Sequence, residues 1–411
     1  MIVPYLLALL AIILCAAAIL PGSLGVLIYT GKIAATTAGA RFIYGKSLWV
    51  GIASGLIMAY AIYAATVASA GIPWVMVGAV VVYCGILTYG FFMHAKLMFK
   101  PIRNPQYIGL DDALQKFGPD EEVVGVVDQG GTPWAYVVKL ARRPHIVYQP
   151  EGDKPFIMTH CILAHSSMSY AMADKFRQPQ LTVSAAMANN LVFYEKSNQC
   201  TVVQIQNQSR EGNLPLKTIA TVACSLATWK ELYPESKVWI RPFSWRDFFF
   251  LKVLARADVI DPTSPVMVYP LQHDQDDRQP MKSQVNGVEI NGQDRTYPVT
   301  ASQAQPLIHD ELGGTPILVA ADGKADYIQV YDRTVDGTVL SFGQGETDRQ
   351  LVDNETGSTW TITGTCISGT HQGKSLTPIP HYNKIYWYVW SDFHPGTEIY
   401  QGQPADERQV A

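Results

Sequence analysis

The chain has 411 residues, of which 48% are hydrophobic and only 16% are charged, whereas about a quarter of the residues in an ordinary soluble protein carry a charge. Its formal net charge is −4. This leaves no global basic excess to neutralise a phosphate backbone, so we exclude nucleic acid as a primary partner. Six cysteines in such a length exclude a scaffold built from disulfides. The length allows two or three domains.

The hydrophobic excess is concentrated in the N-terminal quarter of the chain. The first acidic residue is Asp111. Before it come three apolar runs, 1–29, 47–67 and 72–93, each long enough to cross a hydrocarbon core of about 30 Å. We therefore predict that residues 1–100 form an anchor of three transmembrane helices and that the lipid bilayer is a partner of this protein.

Basic residues between the apolar runs predict the orientation of the anchor. The turn 68–73 has no basic residue, whereas the segments on the opposite side hold all six of them: Lys32, Arg41, Lys46, Lys96, Lys100 and Arg103. Because positively charged loops favour the cytoplasm, we predict a multi-pass membrane protein whose soluble part is cytoplasmic. The first run lacks the positive n-region of a signal peptide. If that run were nevertheless cleaved, the soluble part would be exported.

From residue 104 onwards the composition becomes that of a globular protein. Short β-branched and aromatic runs alternate with Gly, Pro, Asn and Asp turns, which predicts a strand-rich region. The predicted strands are 122–128, 135–140, 156–160, 191–194, 200–206, 317–320, 327–331, 339–342 and 359–363. The clearest predicted helices are 110–117 and 245–257.

Comparison of the chain with itself predicts an internal repeat. The segment around Gly125 recurs around Gly287, and the segment that begins at Trp229 recurs at Trp390, 161 residues later. A near-constant spacing between matching segments is the signature of a duplicated fold.

We therefore predict a multi-domain membrane protein in which three N-terminal transmembrane helices precede two repeated strand-rich (α+β) domains. The predicted domains span 104–245 and 263–405. An aromatic linker helix at 246–262 joins them, and residues 406–411 form a tail.

The second predicted copy carries motifs that resemble a known family. It contains Glu311-Leu-Gly-Gly-Thr-Pro-Ile-Leu-Val319, Leu351-Val-Asp-Asn-Glu-Thr-Gly-Ser-Thr-Trp360 and Trp390-Ser-Asp-Phe-His-Pro-Gly-Thr-Glu398. In these segments the chain resembles the domain of unknown function numbered 3179, a family without an established activity. The resemblance covers the second copy well and the first copy more faintly. It implies a fold and supplies no reaction.

Members of this family typically carry a His followed by a strand that ends in Cys-Pro-Leu-Cys-Gly. The resemblance implies that His145 and Cys161 correspond to that His and to the first Cys. Ala164 stands in place of the second Cys, and His165 follows it. In the second copy the Cys is lost, since Asp322 stands 161 residues after Cys161.

The first copy also holds the densest group of metal-ligating side chains: His160, Cys161, His165 and Met168, with His145 a short distance before them. Imidazole, thiolate and thioether together suit copper or zinc. On a helix Cys161, His165 and Met168 would share one face, whereas on a strand Met168 would point away from the other two. The alternative is a structural cluster, with a buried Cys beside hydrogen-bonded histidines and a Met that fills space.

No phosphate-binding glycine loop, Gly-x-Ser-x-Gly elbow or His-Glu-x-x-His motif occurs in the sequence, so it identifies no catalytic and no cofactor-binding residues. Arg142 and Arg143 are interpreted as a solvated basic corner, and the alternative is that they bind an anionic group together with His145. We expect a non-catalytic accessory or scaffold subunit, anchored in the membrane, whose partners are other subunits of a membrane complex. The alternative is a membrane-tethered copper- or zinc-binding or redox protein that uses the first-copy Cys/His cluster.

Overall fold

A computed structural model describes residues 2–23, 32–151, 154–212, 214–254 and 257–402 of the chain. The end of the first apolar run, two residues of the predicted linker helix and the predicted tail lie outside the described residues. The chain forms two compact units. The helical unit comprises Met1–Pro101 and Asp174–Pro215, and the strand-rich unit comprises Ile102–Ala173 and Leu216–Ala411.

The helices of both units are, in chain order, Val3–Ile19, Thr37–Arg41, Ser47–Ser69, Trp74–Met93, Ala95–Met98, Leu110–Phe117, Val138–Ala141, Leu226–Leu232, Trp245–Phe249, Ala257–Ile260, Val299–Ala304 and Trp387–Phe393. Short 3₁₀ turns occur at Leu20–Gly22, Asp174–Phe176 and Gln204–Gln206, and π-helical turns at Phe42–Lys46 and Phe250–Leu254.

The strands up to residue 240 are β1 (Gln106–Gly109), β2 (Glu122–Val127), β3 (Pro133–Val137), β4 (Ile146–Gln149), β5 (Phe156–Cys161), β6 (Ser166–Ala171), β7 (Leu181–Met187), β8 (Asn190–Glu195), β9 (Cys200–Val203), β10 (Gln208–Ser209), β11 (Thr218–Ile219), β12 (Thr221–Ser225) and β13 (Lys237–Ile240).

The strands that follow are β14 (Gln284–Ile290), β15 (Gln293–Pro298), β16 (Leu307–Leu312), β17 (Thr315–Ala321), β18 (Ile328–Asp332), β19 (Thr334–Val335), β20 (Thr338–Val339), β21 (Phe342–Gln344), β22 (Gln350–Asp353), β23 (Thr359–Thr361), β24 (Cys366–Ser368), β25 (Thr377–Pro378), β26 (Tyr382–Tyr386) and β27 (Glu398–Ile399).

Three helical segments of the helical unit, Val3–Gly22, Thr37–Ser69 and Trp74–Met93, are long and apolar enough to span a bilayer. In the most apolar part of each segment only 28%, 22% and 17% of the residues are buried within the chain. Most of their apolar side chains are therefore left uncovered by the described residues, as the lipid-facing surface of a transmembrane helix requires.

Small residues bring the first two long helices together. Ala11 and Ala61 are fully buried at their contact, and small side chains at a helix interface allow the two backbones to approach closely. A hydroxyl pair adds to the interior of the bundle, since Ser54 Oγ lies 2.9 Å from Tyr83 Oη. Small residues and this hydroxyl pair therefore contribute to packing among the long helices, together with larger buried side chains such as Met58 and Met76.

The helical unit also contains a small antiparallel sheet with the order β10-β9-β8-β7. This sheet packs against the segment that precedes the second long helix. The Tyr44 hydroxyl donates to the Ser184 carbonyl at 2.7 Å, and the Ser184 hydroxyl donates to the Ala34 carbonyl at 3.2 Å. Residues 174–215, which lie within the span 104–245 predicted as one domain, are consequently grouped with the long helices.

The strand-rich unit contains two sets of sheets. The first set consists of the sheets β1-β13-β3-β2-β12 and β11-β6-β5-β4. The second set includes the sheets β26-β14-β15-β27 and β16-β17-β18-β25, together with the sheet β21-β22-β23-β24 and the hairpin β19-β20. These sheets hold the hydrophobic cores of the unit.

Strand order and pairing direction correspond between the two sets. β12, β2, β3 and β13 pair in the same sequence and in the same directions as β26, β14, β15 and β27, including the parallel pairing of the last two strands. The antiparallel order β4-β5-β6-β11 likewise matches β16-β17-β18-β25. The helical unit's sheet β7-β8-β9-β10 has the same antiparallel order as β21-β22-β23-β24.

A glycine and a tryptophan make the same close contact in each set. A Cβ placed on Gly125 in β2 would lie 2.1 Å from Cζ3 of Trp229, and one on Gly287 in β14 would lie 2.3 Å from Cε3 of Trp390. Only glycine leaves room for an indole ring at these two positions. The segments that match in sequence thus occupy matching environments in the two sets.

Several predicted elements differ in their ends from the observed ones. The helix Leu110–Phe117 has the predicted ends. The predicted strand 135–140 is wrong at its end, because β3 stops at Val137 and a helical turn follows from Val138. An apolar run with both faces buried does not distinguish strand from helix by periodicity. The predicted strand 339–342 is divided between β20 and β21.

The predicted aromatic helix begins as a helix at Trp245 and continues as a π-helical turn over Phe250–Leu254. A capping box fixes its start. The Ser244 side chain accepts a hydrogen bond from the backbone of Asp247, and the Asp247 carboxylate accepts one from the backbone N–H of Ser244 at 2.7 Å. This reciprocal pair satisfies donors that the first turn of a helix leaves free.

Candidate functional site

Three of the predicted site residues lie at strand ends. His145 directly precedes β4, and His160 and Cys161 are the last two residues of β5. The backbone N–H of His160 donates to the His145 carbonyl at 2.8 Å, and His145 Nδ1 lies 3.0 Å from the His160 carbonyl. The side chains of His145, His160 and Cys161 are all buried. In the second sheet set the backbone N–H of Ala321 donates to the carbonyl of Pro306 in the same way. The same backbone contact therefore occurs in both sets.

The segment around Cys161 is a hairpin, and it divides the predicted metal ligands between two faces. His160 pairs with Ser167 across the hairpin, and Met168 pairs with Thr159. Side chains of directly paired residues lie on the same face and neighbours along a strand alternate, so Cys161 and Met168 share one face while His160 lies on the other. The expectation for a single strand, in which Met168 points away from Cys161, does not apply to a hairpin.

The described residues contain no group of three or more His, Cys, Asp or Glu side chains that could hold a metal ion. The predicted ligands His145, His160, Cys161, His165 and Met168 lie along the hairpin of β5 and β6 and just before β4, and a copper or zinc site there stays a prediction.

What the structure does bring together is a group around His165, in the turn between β5 and β6. His165 Nε2 lies 3.0 Å from Oε1 of Glu122 in β2. The imidazole ring stacks on Tyr386 with 5.3 Å between ring centroids, and its plane lies edge-on to His160 at 6.2 Å. Residues from three separate parts of the sequence therefore surround one imidazole.

This group lines a cavity of about 170 Å³ in the strand-rich unit. The polar side chains in its wall are Glu122, Arg142, His160, His165, Gln284 and Tyr386. The first sheet set contributes Glu122, His160 and His165, and the second contributes Gln284 and Tyr386. The cavity therefore depends on the packing of the two sets against each other.

Burial and neighbouring charges set the protonation states in the cavity wall. Burial alone would raise the pKa of Glu122, but the charge of His165, the hydrogen bond from it and the charge of Lys384 lower that pKa to about 2. Burial and the neighbouring imidazoles of His165 and His145 lower the pKa of His160 well below its usual value. At neutral pH Glu122 is consequently a carboxylate and His160 a neutral ring.

The backbone at His165 is strained in a way that glycine would avoid. Its φ is +48°, in the left-handed region, which a residue with a Cβ enters at a cost of roughly 1–2 kcal/mol. The chain therefore carries an imidazole at a position where glycine would relieve the strain, and that imidazole is the ring that contacts Glu122 and Tyr386.

Sequence reasoning missed several residues of this cavity. Glu122, Gln284 and Tyr386 belong to no motif and lie far apart along the chain, so no local spacing marks them. Arg142 and Arg143 differ from the predicted solvated corner. Arg143 is only 12% exposed, with its Nε 2.6 Å from an Asp247 oxygen, whereas Arg142 faces the cavity.

Comparison with known proteins assigns a family but no activity. A family model for DUF3179, described as a protein of unknown function, matches residues 99–397. The chain belongs to this family. No curated protein and no solved structure gives a significant match to the chain.

Proposed function

We propose that this protein is a non-catalytic accessory subunit of a membrane complex, anchored by its three long helices. The observation that supports this role is the uncovered apolar surface of those helices. Trp49, Leu56, Tyr60 and Tyr63 on Ser47–Ser69 are each between 60% and 71% exposed within the chain. Lipid alone could cover such a surface, but large aromatic side chains along a membrane helix also suit contact with other membrane-protein subunits.

The proposal extends to the architecture of the soluble part. We propose that 104–245 and 263–405 are two copies of one fold. The shared strand order and the paired contacts Gly125–Trp229 and Gly287–Trp390 support this. Because one copy of a duplicated domain can lose a site while keeping its fold, the second copy serves as a structural support for the first.

Contacts of Asp322 support a structural role for the second copy. This residue stands where the first copy has Cys161. One oxygen of its carboxylate accepts hydrogen bonds from the backbone N–H groups of Asp326 and Tyr327, at 2.8 and 3.3 Å. It therefore closes a turn in the way that aspartate commonly does. The position that corresponds to Cys161 is thus occupied in the second copy by a turn residue.

Photo-crosslinking in native membranes tests the accessory role. A photoreactive residue at Tyr60, which is 60% exposed, is compared with one at the adjacent Ala61, which is fully buried. We expect a defined membrane protein to be crosslinked from position 60 and not from 61, and to co-purify with the unmodified chain in mild detergent. Crosslinks to lipid only, with a monomer after mild extraction, would contradict the accessory role and leave a solitary anchored protein.

We further propose that the strand-rich unit lies in the cytoplasm, on the basis of the six basic residues that flank its anchor. A single cysteine introduced at Glu346, a residue exposed in the strand-rich unit, tests this. In intact cells a membrane-impermeant maleimide should leave it unlabelled, and it should react after the membrane is opened. Labelling in intact cells would place this unit outside, as expected if the first apolar run were cleaved.

A further inference from the structure

We propose that the cavity between the two sheet sets binds a small oxyanion, a carboxylate or a phosphate, with Arg142 as its charged partner and His160 as a second contact. This proposal does not depend on the accessory role, because a site of this kind can serve a subunit of any function.

Arg142 supplies the charge for such a ligand. Its side chain lines the cavity, and within the described part of the chain no hydrogen bond or ion pair of its guanidinium is present. The adjacent Arg143 shows the contrast, since its guanidinium is held by Asp247 and Ser244 at distances of 2.6–3.0 Å. A guanidinium stays charged at any physiological pH and offers five donors in a fork that matches an oxyanion.

His160 supplies a buried polar atom that lacks a partner. The residue is 2% exposed, and its Nδ1 lies 3.0 Å from Ser167 Oγ. Its Nε2 is buried and has no hydrogen-bond partner among the described residues. An unsatisfied buried polar atom costs roughly 1–3 kcal/mol, so a hydrogen bond from a ligand in the cavity would stabilise this site.

The negative charge in the wall is already matched. Glu122 is hydrogen-bonded to His165 at 3.0 Å, and that contact together with the nearby charge of Lys384 stabilises its carboxylate. Because Glu122 has its own partners, the Arg142 guanidinium has no ion pair with it among the described residues, and the carboxylate of Glu121 acts on Arg142 only through a longer-range electrostatic interaction. Gln284 and Tyr386 add an amide and a hydroxyl to the wall, both of which can donate to an oxyanion.

The size of the cavity restricts the ligand. Pockets for drug-sized molecules occupy roughly 300–1,000 Å³, and this cavity has about 170 Å³. A ligand with only a few non-hydrogen atoms fits such a volume. A short carboxylic acid and inorganic phosphate share the required chemistry, so the two are distinguished by experiment.

Isothermal titration calorimetry on the full chain in detergent provides the test, with sodium acetate and sodium phosphate as separate probes at constant ionic strength. We expect saturable binding of at least one probe, and the one that binds identifies the source of the oxyanion. Arg142→Gln should weaken binding by about 10- to 100-fold, which corresponds to one charge-assisted hydrogen-bonded contact. Lys139→Gln, an exposed residue of the same helical turn, removes the same charge and should leave the affinity unchanged within about twofold.

A second variant keeps the proposal testable if Arg142→Gln folds poorly. Arg142→Lys retains the charge and loses the fork, so it should bind more weakly than the unmodified chain and more tightly than Arg142→Gln. Absence of binding for both probes would overturn the proposal. So would equal binding by the Arg142 and Lys139 variants, or saturable zinc binding that neither probe displaces and that His160→Ala abolishes.

Discussion

Replacing Gly125 with alanine should destabilise the strand-rich unit by about 2 kcal/mol, within a range of roughly 0.5–4 kcal/mol. The new Cβ would lie 2.1, 2.4 and 2.5 Å from three ring carbons of Trp229, and that indole is 1% exposed with its Nε1 donating to Ser236 Oγ at 2.8 Å. Overpacking of this kind costs about 1–3 kcal/mol, and losing the indole hydrogen bond costs a further 0.5–1.5, roughly. Alanine also reduces the conformational entropy of the unfolded chain, which offsets about 0.4–1 kcal/mol of this cost.

The same reasoning applies to Gly287→Ala. There the Cβ would lie 2.3, 2.4 and 2.6 Å from ring carbons of Trp390. This indole is fully buried and donates to Thr397 Oγ1 at 3.2 Å. If the two sheet sets are copies of one fold, both substitutions perturb the same contact. Their costs should therefore agree to within about 1 kcal/mol.

The assay is urea unfolding of the full chain in detergent, followed by tryptophan fluorescence. Gly343→Ala is the matched control, because Gly343 lies in a strand with its nearest neighbour, an Asn354 oxygen, 3.8 Å from the added Cβ. That substitution should be neutral or slightly stabilising. A change of less than about 0.5 kcal/mol at Gly125 or Gly287 would refute the argument from close packing, and a large cost at only one of them would refute the equivalence of the two sets.

Three further predictions concern pH, a buried carboxylate and metal content. Burial lowers the pKa of His145 to about 4. Between about pH 6.5 and pH 4 this histidine is therefore protonated in the unfolded chain and neutral in the folded chain. The contribution of His145 to the free energy of unfolding is fully present above about pH 6.5 and is about 2 kcal/mol smaller at pH 5. A lower Tm at pH 5 than at pH 7, with a smaller difference in His145→Gln, would verify this. Asp247→Ala removes a fully buried carboxylate from between two arginines and should cost about 3–5 kcal/mol in denaturant titrations; a loss below 1 kcal/mol would contradict this. Purified wild type should contain no more copper or zinc than Cys161→Ser and His165→Ala, and metal present only in wild type would favour the metal-binding alternative.

Local patterns in the sequence are sufficient for several features of this protein. An uninterrupted apolar run needs only length and composition to form a long helix with an apolar surface, and three such helices are present. The helix Leu110–Phe117 has the predicted ends because its signals, two acids in the first turn and Gly118 after the last, lie within a few residues. The recurrence of Gly125 and Trp229 as Gly287 and Trp390 likewise marks matching contacts, since a glycine is required wherever an indole touches the backbone.

Only the tertiary structure determines which polar side chains lie together in the cavity. The hairpin register places Met168 on the same face as Cys161, whereas a single strand would put these two residues on opposite faces. Packing of the two sheet sets then brings Tyr386 onto His165 from more than 200 residues away. Helix and strand periods describe which side of one element is buried, and they carry no information about which distant element covers it. The cavity beside Arg142 is formed by such long-range contacts, so it exists only in the folded chain.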